Sequence, residues 1–159
     1  MREYTRQLRK IVTHGVDNGR LLVHHPVWGC RKVGDQPTPS NATLDTAWVK
    51  AGLKQSDVSL IVAGHIHLFE LLSFEKPSRL PPQLVARESG TKLAKPLTGK
   101  RAGAKLASHT VAHGESFDEF PYGLMTQETT GWRLRMRSEK QVDKADCSLD
   151  LKCGNVACR

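Results

Sequence analysis

Two short stretches place histidines where chemistry needs them. Residues 60–70, LIVAGHIHLFE, end an apolar run at Gly64 and then set His65 and His67 two apart. Residues 21–28, LLVHHPVW, end another apolar run with His24 and His25 before Pro26. An imidazole in a buried strand must find a hydrogen-bond partner or cost free energy, so histidines at two strand ends point to a use. Neutral imidazoles are good ligands for zinc, iron and manganese-type ions. Residues two apart in extended chain point the same way, so His65 and His67 are expected to address one metal cluster together. Gly64 is expected to let the backbone turn sharply before the pair.

The elements that must position these residues follow from periodicity. Residues 2–12 space Tyr4, Leu8, Ile11 and Val12 as a helix does, and the DNG at 17–19 breaks it. RLLV at 20–23 reads as a short buried strand, ended by Pro26. Residues 29–41 are rich in Gly, Pro and polar side chains and read as a loop. A helix over 43–53 follows, with Asn41 or Thr43 as its cap, Leu44, Trp48 and Leu53 roughly on one face, and Gly52 near its end. SLIVAG at 59–64 is a second buried strand. Strand, loop, helix and strand in this order make a βαβ unit with parallel strands and a right-handed crossover. Parallel strands end on one edge of the sheet, so His24, His65 and His67 are expected to converge there. LFELLSF, QLVARES, YGLMTQE and WRLRMRS read as further strands, the last two joined by TTG. Trp28, Trp48 and Trp132 are expected in packing roles.

Composition sets the limits. The 159 residues fit one domain, and 38% apolar with 6% aromatic residues lies toward the poor end for building a core. No run approaches the roughly 18 apolar residues of a membrane span, and MREYTRQLRK is too charged for a signal-peptide core. The net charge of +8 suits an anionic substrate or a polyanion. From Ser89 to Gly114 there is no acidic residue, while Lys92, Lys95, Lys100, Arg101 and Lys105 sit among Gly, Ala and Pro. A solvated, mobile basic loop is the expectation there. Cys147, Cys153 and Cys158 crowd into residues 139–159, read as a cysteine-bearing tail, and Cys30 stands alone. The spacing is not that of a zinc ribbon. One short disulfide and free thiols on a frayed tail both remain open.

LLVHHPVW and LIVAGHIHLFE together resemble the calcineurin-like metallophosphoesterase family, and RLPPQLVARESGTKL, FPYGLM and GWRLRM continue the likeness toward a bacterial branch of it. The resemblance implies an α/β fold, the C-terminal part of a β-sandwich of mixed sheets flanked by helices, filled by residues 1–138. It implies a centre of two divalent metal ions (Fe, Mn or Zn), with His24 and His65 on one metal and His67 on the other. His25 falls on the variable position of H-x-P and carries no ligand role. The implied activity is phosphoester hydrolysis, with a phosphoester substrate. The family's D-x-H, G-D-x-x-D and G-N-H-D/E motifs do not occur here, and Asp35 in KVGDQ has neither their order nor their spacing. The expectation is therefore a C-terminal half whose partner is the missing N-terminal half of the domain, inactive in isolation. Arg87, Glu88 and Ser89 replace the glycine- and asparagine-rich turn usual before G-T, near the metal edge. The competing reading is a non-catalytic remnant that binds one metal ion or a polyanion. A nucleic-acid module has only the charge behind it. Cut from a partner half, RLLV or LIVA is expected to expose an apolar edge prone to aggregation.

Overall fold

The structure, a computed structural model, describes residues 1–33, 36–39, 42–78, 80–86, 101–117 and 122–159. Helix α1 spans Arg2–Thr13 and strand β1 spans Gly19–Val23. A hairpin of β2 (Cys30–Val33) and β3 (Gln36–Pro39) precedes α2 (Ala42–Ala51). There follow β4 (Val58–Ala63), β5 (Phe69–Phe74), β6 (Gln83–Val85), β7 (Lys105–Leu106) and β8 (His109–Phe117). The chain ends in β9 (Tyr122–Glu128), β10 (Gly131–Arg137), β11 (Asp143–Asp150) and β12 (Asn155–Cys158).

Three layers result. A six-stranded mixed sheet in the order β1-β4-β6-β5-β8-β7 lies between the helices and an antiparallel sheet in the order β12-β11-β10-β9. On the helix side, Leu8, Leu44, Trp48 and Leu53 pack with Ile61, Leu72 and Phe74. On the other, Leu60, Phe69, Leu71 and Leu84 pack with Leu134, Met136, Ala145 and Leu149. The two faces of β5 explain its composition. Phe69 and Leu71 serve one core and Leu72 and Phe74 the other, so FELLSF is buried throughout and its apolar residues do not alternate.

β1 and β4 are parallel, with Val23 opposite Ala63, as the βαβ reading requires. β6 adds a second parallel neighbour to β4, Val85 opposite Ala63. β1 is the edge strand. Its side chains alternate instead of being wholly buried, and Leu22 is 76% exposed. LIVA, by contrast, lies inside the sheet, paired on both sides.

The structure bears on four further expectations. Cys30–Val33 and Gln36–Pro39 pair as antiparallel strands where a loop was expected; Pro37 and Pro39 sit in this separate two-stranded ribbon, where a missing N–H is tolerated. Thr43 lies inside α2 and is no cap, and Asn41 falls outside the described residues. The segment read as a basic loop carries β7 and β8 from Lys105 onward, and Arg101 is buried in an ion pair with Glu70. Lys92, Lys95 and Lys100 lie outside the described residues, as do Arg87, Glu88 and Ser89. Of the two readings left open for residues 139–159, the disulfide forms and the frayed tail does not. β11 pairs along β10 and β12 along β11, and Cys147 and Cys158 form a disulfide, leaving Cys153 free and exposed. On this sheet Arg133 clasps the Asp146 carboxylate, holding that carboxyl below its ordinary range.

β6 also fixes the loop that leaves β1. The fully buried Gln83 accepts the N–H groups of Val27 (2.9 Å) and Trp28 (3.1 Å) on Oε1, and its Nε2 donates to the Trp28 carbonyl. The Trp28 ring packs against Trp48 and Phe74, and its Nε1 donates to Asp45 Oδ1 at 2.8 Å. His109 Nε2 lies 3.0 Å from the same oxygen. Gln83→Leu would strand two buried N–H groups and a carbonyl, each costing about 1–3 kcal/mol. A stability loss on the order of 3 kcal/mol in urea unfolding is expected; a change under about 0.5 kcal/mol would contradict the clamp.

Candidate metal centre

The strand ends bring the histidines together. His24 and His25 follow β1 directly, Gly64 and His65 follow β4, and the Gly64 N–H donates to the His24 carbonyl at 3.2 Å, tying the two exits. His24, His25 and His65 each offer a ring nitrogen, and these atoms all lie within 4.8 Å of one another. His65 Nδ1 is 3.2 Å from His24 Nε2. The His25 and His65 ring centroids are 3.9 Å apart, and those of His24 and His65 5.0 Å. His24 and His65 are exposed and His25 half-buried, so the cluster opens to solvent.

The membership differs from expectation in two residues. His67 lies outside the cluster and His25 inside it. The reason is that neither segment is extended where the histidines sit. His65 has φ 69°, with the Ile66 N–H donating to the Gly64 carbonyl at 2.9 Å, a three-residue turn centred on the histidine. His67 has φ 56°, so the chain turns again. Two left-handed residues separated by one cancel the alternation that would have aimed both rings the same way. The turn belongs to His65 itself, for Gly64 has no positive φ. A non-glycine residue held left-handed costs on the order of 1–3 kcal/mol and persists where the surroundings impose it, commonly at functional sites. His25 enters the cluster because β1 has already ended at Val23, so strict alternation no longer sends it away from His24. The adjacency of two histidines beyond a strand end was the signal for it.

The donor set can be weighed chemically. Three imidazoles with an open fourth position are a set used for zinc, and the half-open setting leaves that position to water or an anion. The set brings no negative charge, and no carboxylate belongs to the cluster among the described residues. Two metal ions at one site need anionic ligands between them to offset their charge, so these residues fit one ion and not two. Of the basic residues between Ser89 and Gly114, Lys92, Lys95 and Lys100 lie outside the described residues. Arg101 is committed to Glu70, and the Lys105 ammonium donates to Thr110 Oγ1. A separate groove of about 630 Å³ runs along α1, lined by Arg2, Arg6, Arg9, Lys10 and Lys50.

Comparisons with family models, with curated proteins and with solved structures find no match to this chain. No helix among the described residues is long and apolar enough to cross a membrane.

His25→Ala is expected to weaken zinc binding by about tenfold or more, as His24→Ala and His65→Ala do, while His67→Ala leaves it within about twofold. Calorimetric titration of the oxidised chain checks this, and a loss confined to the His67 variant would contradict the cluster. Binding should weaken as the pH is lowered, because imidazoles must be deprotonated to ligate.

Proposed function

We propose that this chain supplies the histidine side of a metal-dependent phosphoester hydrolase of the calcineurin-like type, with carboxylate ligands coming from outside the described residues. The observation that carries the proposal is the convergence of the H-x-P and GHxH segments on one edge of parallel strands, with three ring nitrogens within 4.8 Å. The three-layer arrangement of two sheets and flanking helices is consistent with the sandwich such enzymes use. On this reading His24, His25 and His65 hold one divalent cation at the open edge, which would polarise a phosphoryl oxygen and lower the pKa of a bound water. His24 and His65 are kept in register by the Gly64–His24 backbone bond, and Gln83 keeps the histidine pair from drifting with its loop. His67 stands one turn further along, where a second ion would need carboxylates to join it.

A second reading, a module that holds one metal ion without catalysis, is favoured by the absence of any carboxylate from the cluster among the described residues. The two separate on their response to phosphate. For the hydrolase reading, the cobalt-loaded chain should bind orthophosphate at the open coordination position, changing the visible cobalt spectrum, and His65→Ala should abolish the response. A metal-loaded chain whose spectrum is indifferent to phosphate would overturn the hydrolase reading and leave the metal-holding one.

A further inference from the structure

A different group of metal-ligating side chains lies between the two sheets. β8 runs antiparallel to β5, with Phe69 opposite Phe117, Leu71 opposite Glu115 and Ser73 opposite His113. Between Ser73 and Phe74 the register slips, so that Phe74 faces Val111. Such a bulge re-aims the side chains that follow it. Val111, before the slip, packs in the helix-side core, whereas Phe117, after it, packs against the core shared with the four-stranded sheet. His113 and Glu115 alternate with Phe117 and so point toward that sheet, where β12 delivers Cys158 into the same core.

A ring nitrogen of His113, a carboxylate oxygen of Glu115 and Sγ of Cys158 all lie within 4.8 Å of one another. All three residues are half-buried. His113 Nε2 is closed to solvent and has no hydrogen-bond partner, although Glu115 Oε1 is 3.4 Å away. A buried, unsatisfied ring nitrogen is costly, and an ion is one of the few things that satisfies it. Cys158 is bonded to Cys147, which removes its thiolate from use.

We propose that His113, Glu115 and Cys158 form a redox-gated site for a zinc-class divalent cation, shut while Cys158 is bonded to Cys147 and opened by a dithiol reductant. The reductant, a protein or small-molecule dithiol, gives two electrons and two protons. The S–S bond breaks, Cys147 and Cys158 become thiols, and the reductant closes to its own disulfide. On metal binding the Cys158 thiol releases its proton to solvent and Sγ becomes the ligand. Nitrogen, oxygen and sulfur donors are the set zinc accepts, at metal–ligand distances of about 2.0–2.3 Å, which small side-chain rotations reach from the observed separations. Thiolate and carboxylate together carry two negative charges, so the loaded site is neutral and suited to its half-buried position. Nothing here depends on the histidine cluster at the β1 and β4 ends.

Cobalt reports thiolate ligation directly, through a sulfur-to-metal charge-transfer band that imidazole and carboxylate ligands do not give. The full chain is reduced, freed of reductant without air, and titrated with cobalt(II), with circular dichroism recorded throughout. The band is expected in the reduced chain and not in the oxidised one. It should appear in Cys147→Ser without reduction, survive Cys153→Ser and Cys30→Ser, and weaken about tenfold or more in affinity with His113→Ala. A reduced, folded chain with no band overturns the proposal, as does a band indifferent to His113→Ala. Loss of the fold on reduction overturns it equally, since the site would then never assemble.

Discussion

The parallel pairing of β1 with β4 is the constraint from which the rest of the site follows. Two segments 41 residues apart reach hydrogen-bonding distance at His24 and His65 only because Val23 and Ala63 end opposite each other. An antiparallel pairing would send the same histidines to opposite ends of the sheet. The parallel arrangement in turn requires a crossover, and α2 supplies it, with Leu44, Ala47, Trp48 and Ala51 buried on the sheet. The helix is thus the structural reason that two sequence motifs become one place.

Position at the strand ends is only half of the geometry. The other half is backbone held where it would not go unaided, at His65 and His67, between a β4 that is buried except at Val62 and a β5 that is buried on both faces. A tightly packed β4 and β5 leave the five residues between them little freedom, so the turn is imposed by its flanks. On the β1 side the equivalent constraint is Gln83, whose side-chain amide replaces a missing strand as the partner of the loop backbone. A buried amide satisfied on both ends fixes a loop about as well as a short ladder does, and leaves no unpaired group behind.

Much of this was legible in the sequence. The βαβ unit, helices α1 and α2, the β9–β10 hairpin and the strand ends that carry histidines all follow from periodicity and turn residues. What escaped did so for physical reasons. HTVAHGESF lacks a clean alternation because a bulge shifts its faces midway, and its glycine lies where Arg101 crosses, leaving a Cβ only 2.8 Å from that side chain. DKADCSLD, by contrast, does alternate. Ala145, Cys147 and Leu149 are buried between more exposed neighbours, a period-two signal overshadowed by the cysteine spacing. The choice between His25 and His67 turned on backbone dihedrals at single residues, which no pattern of residue types encodes when the left-handed positions are occupied by histidine instead of glycine.

The molecule is a mixed sheet with a histidine triad at one edge and a disulfide-bearing sheet against one face. The most direct measurement of that account is X-ray absorption at the zinc edge on the oxidised, zinc-loaded chain. The account requires one zinc per chain, with outer-shell scattering from three imidazoles and no sulfur. A first shell with a sulfur ligand, a metal–metal distance, or scattering from fewer than three imidazoles would contradict it.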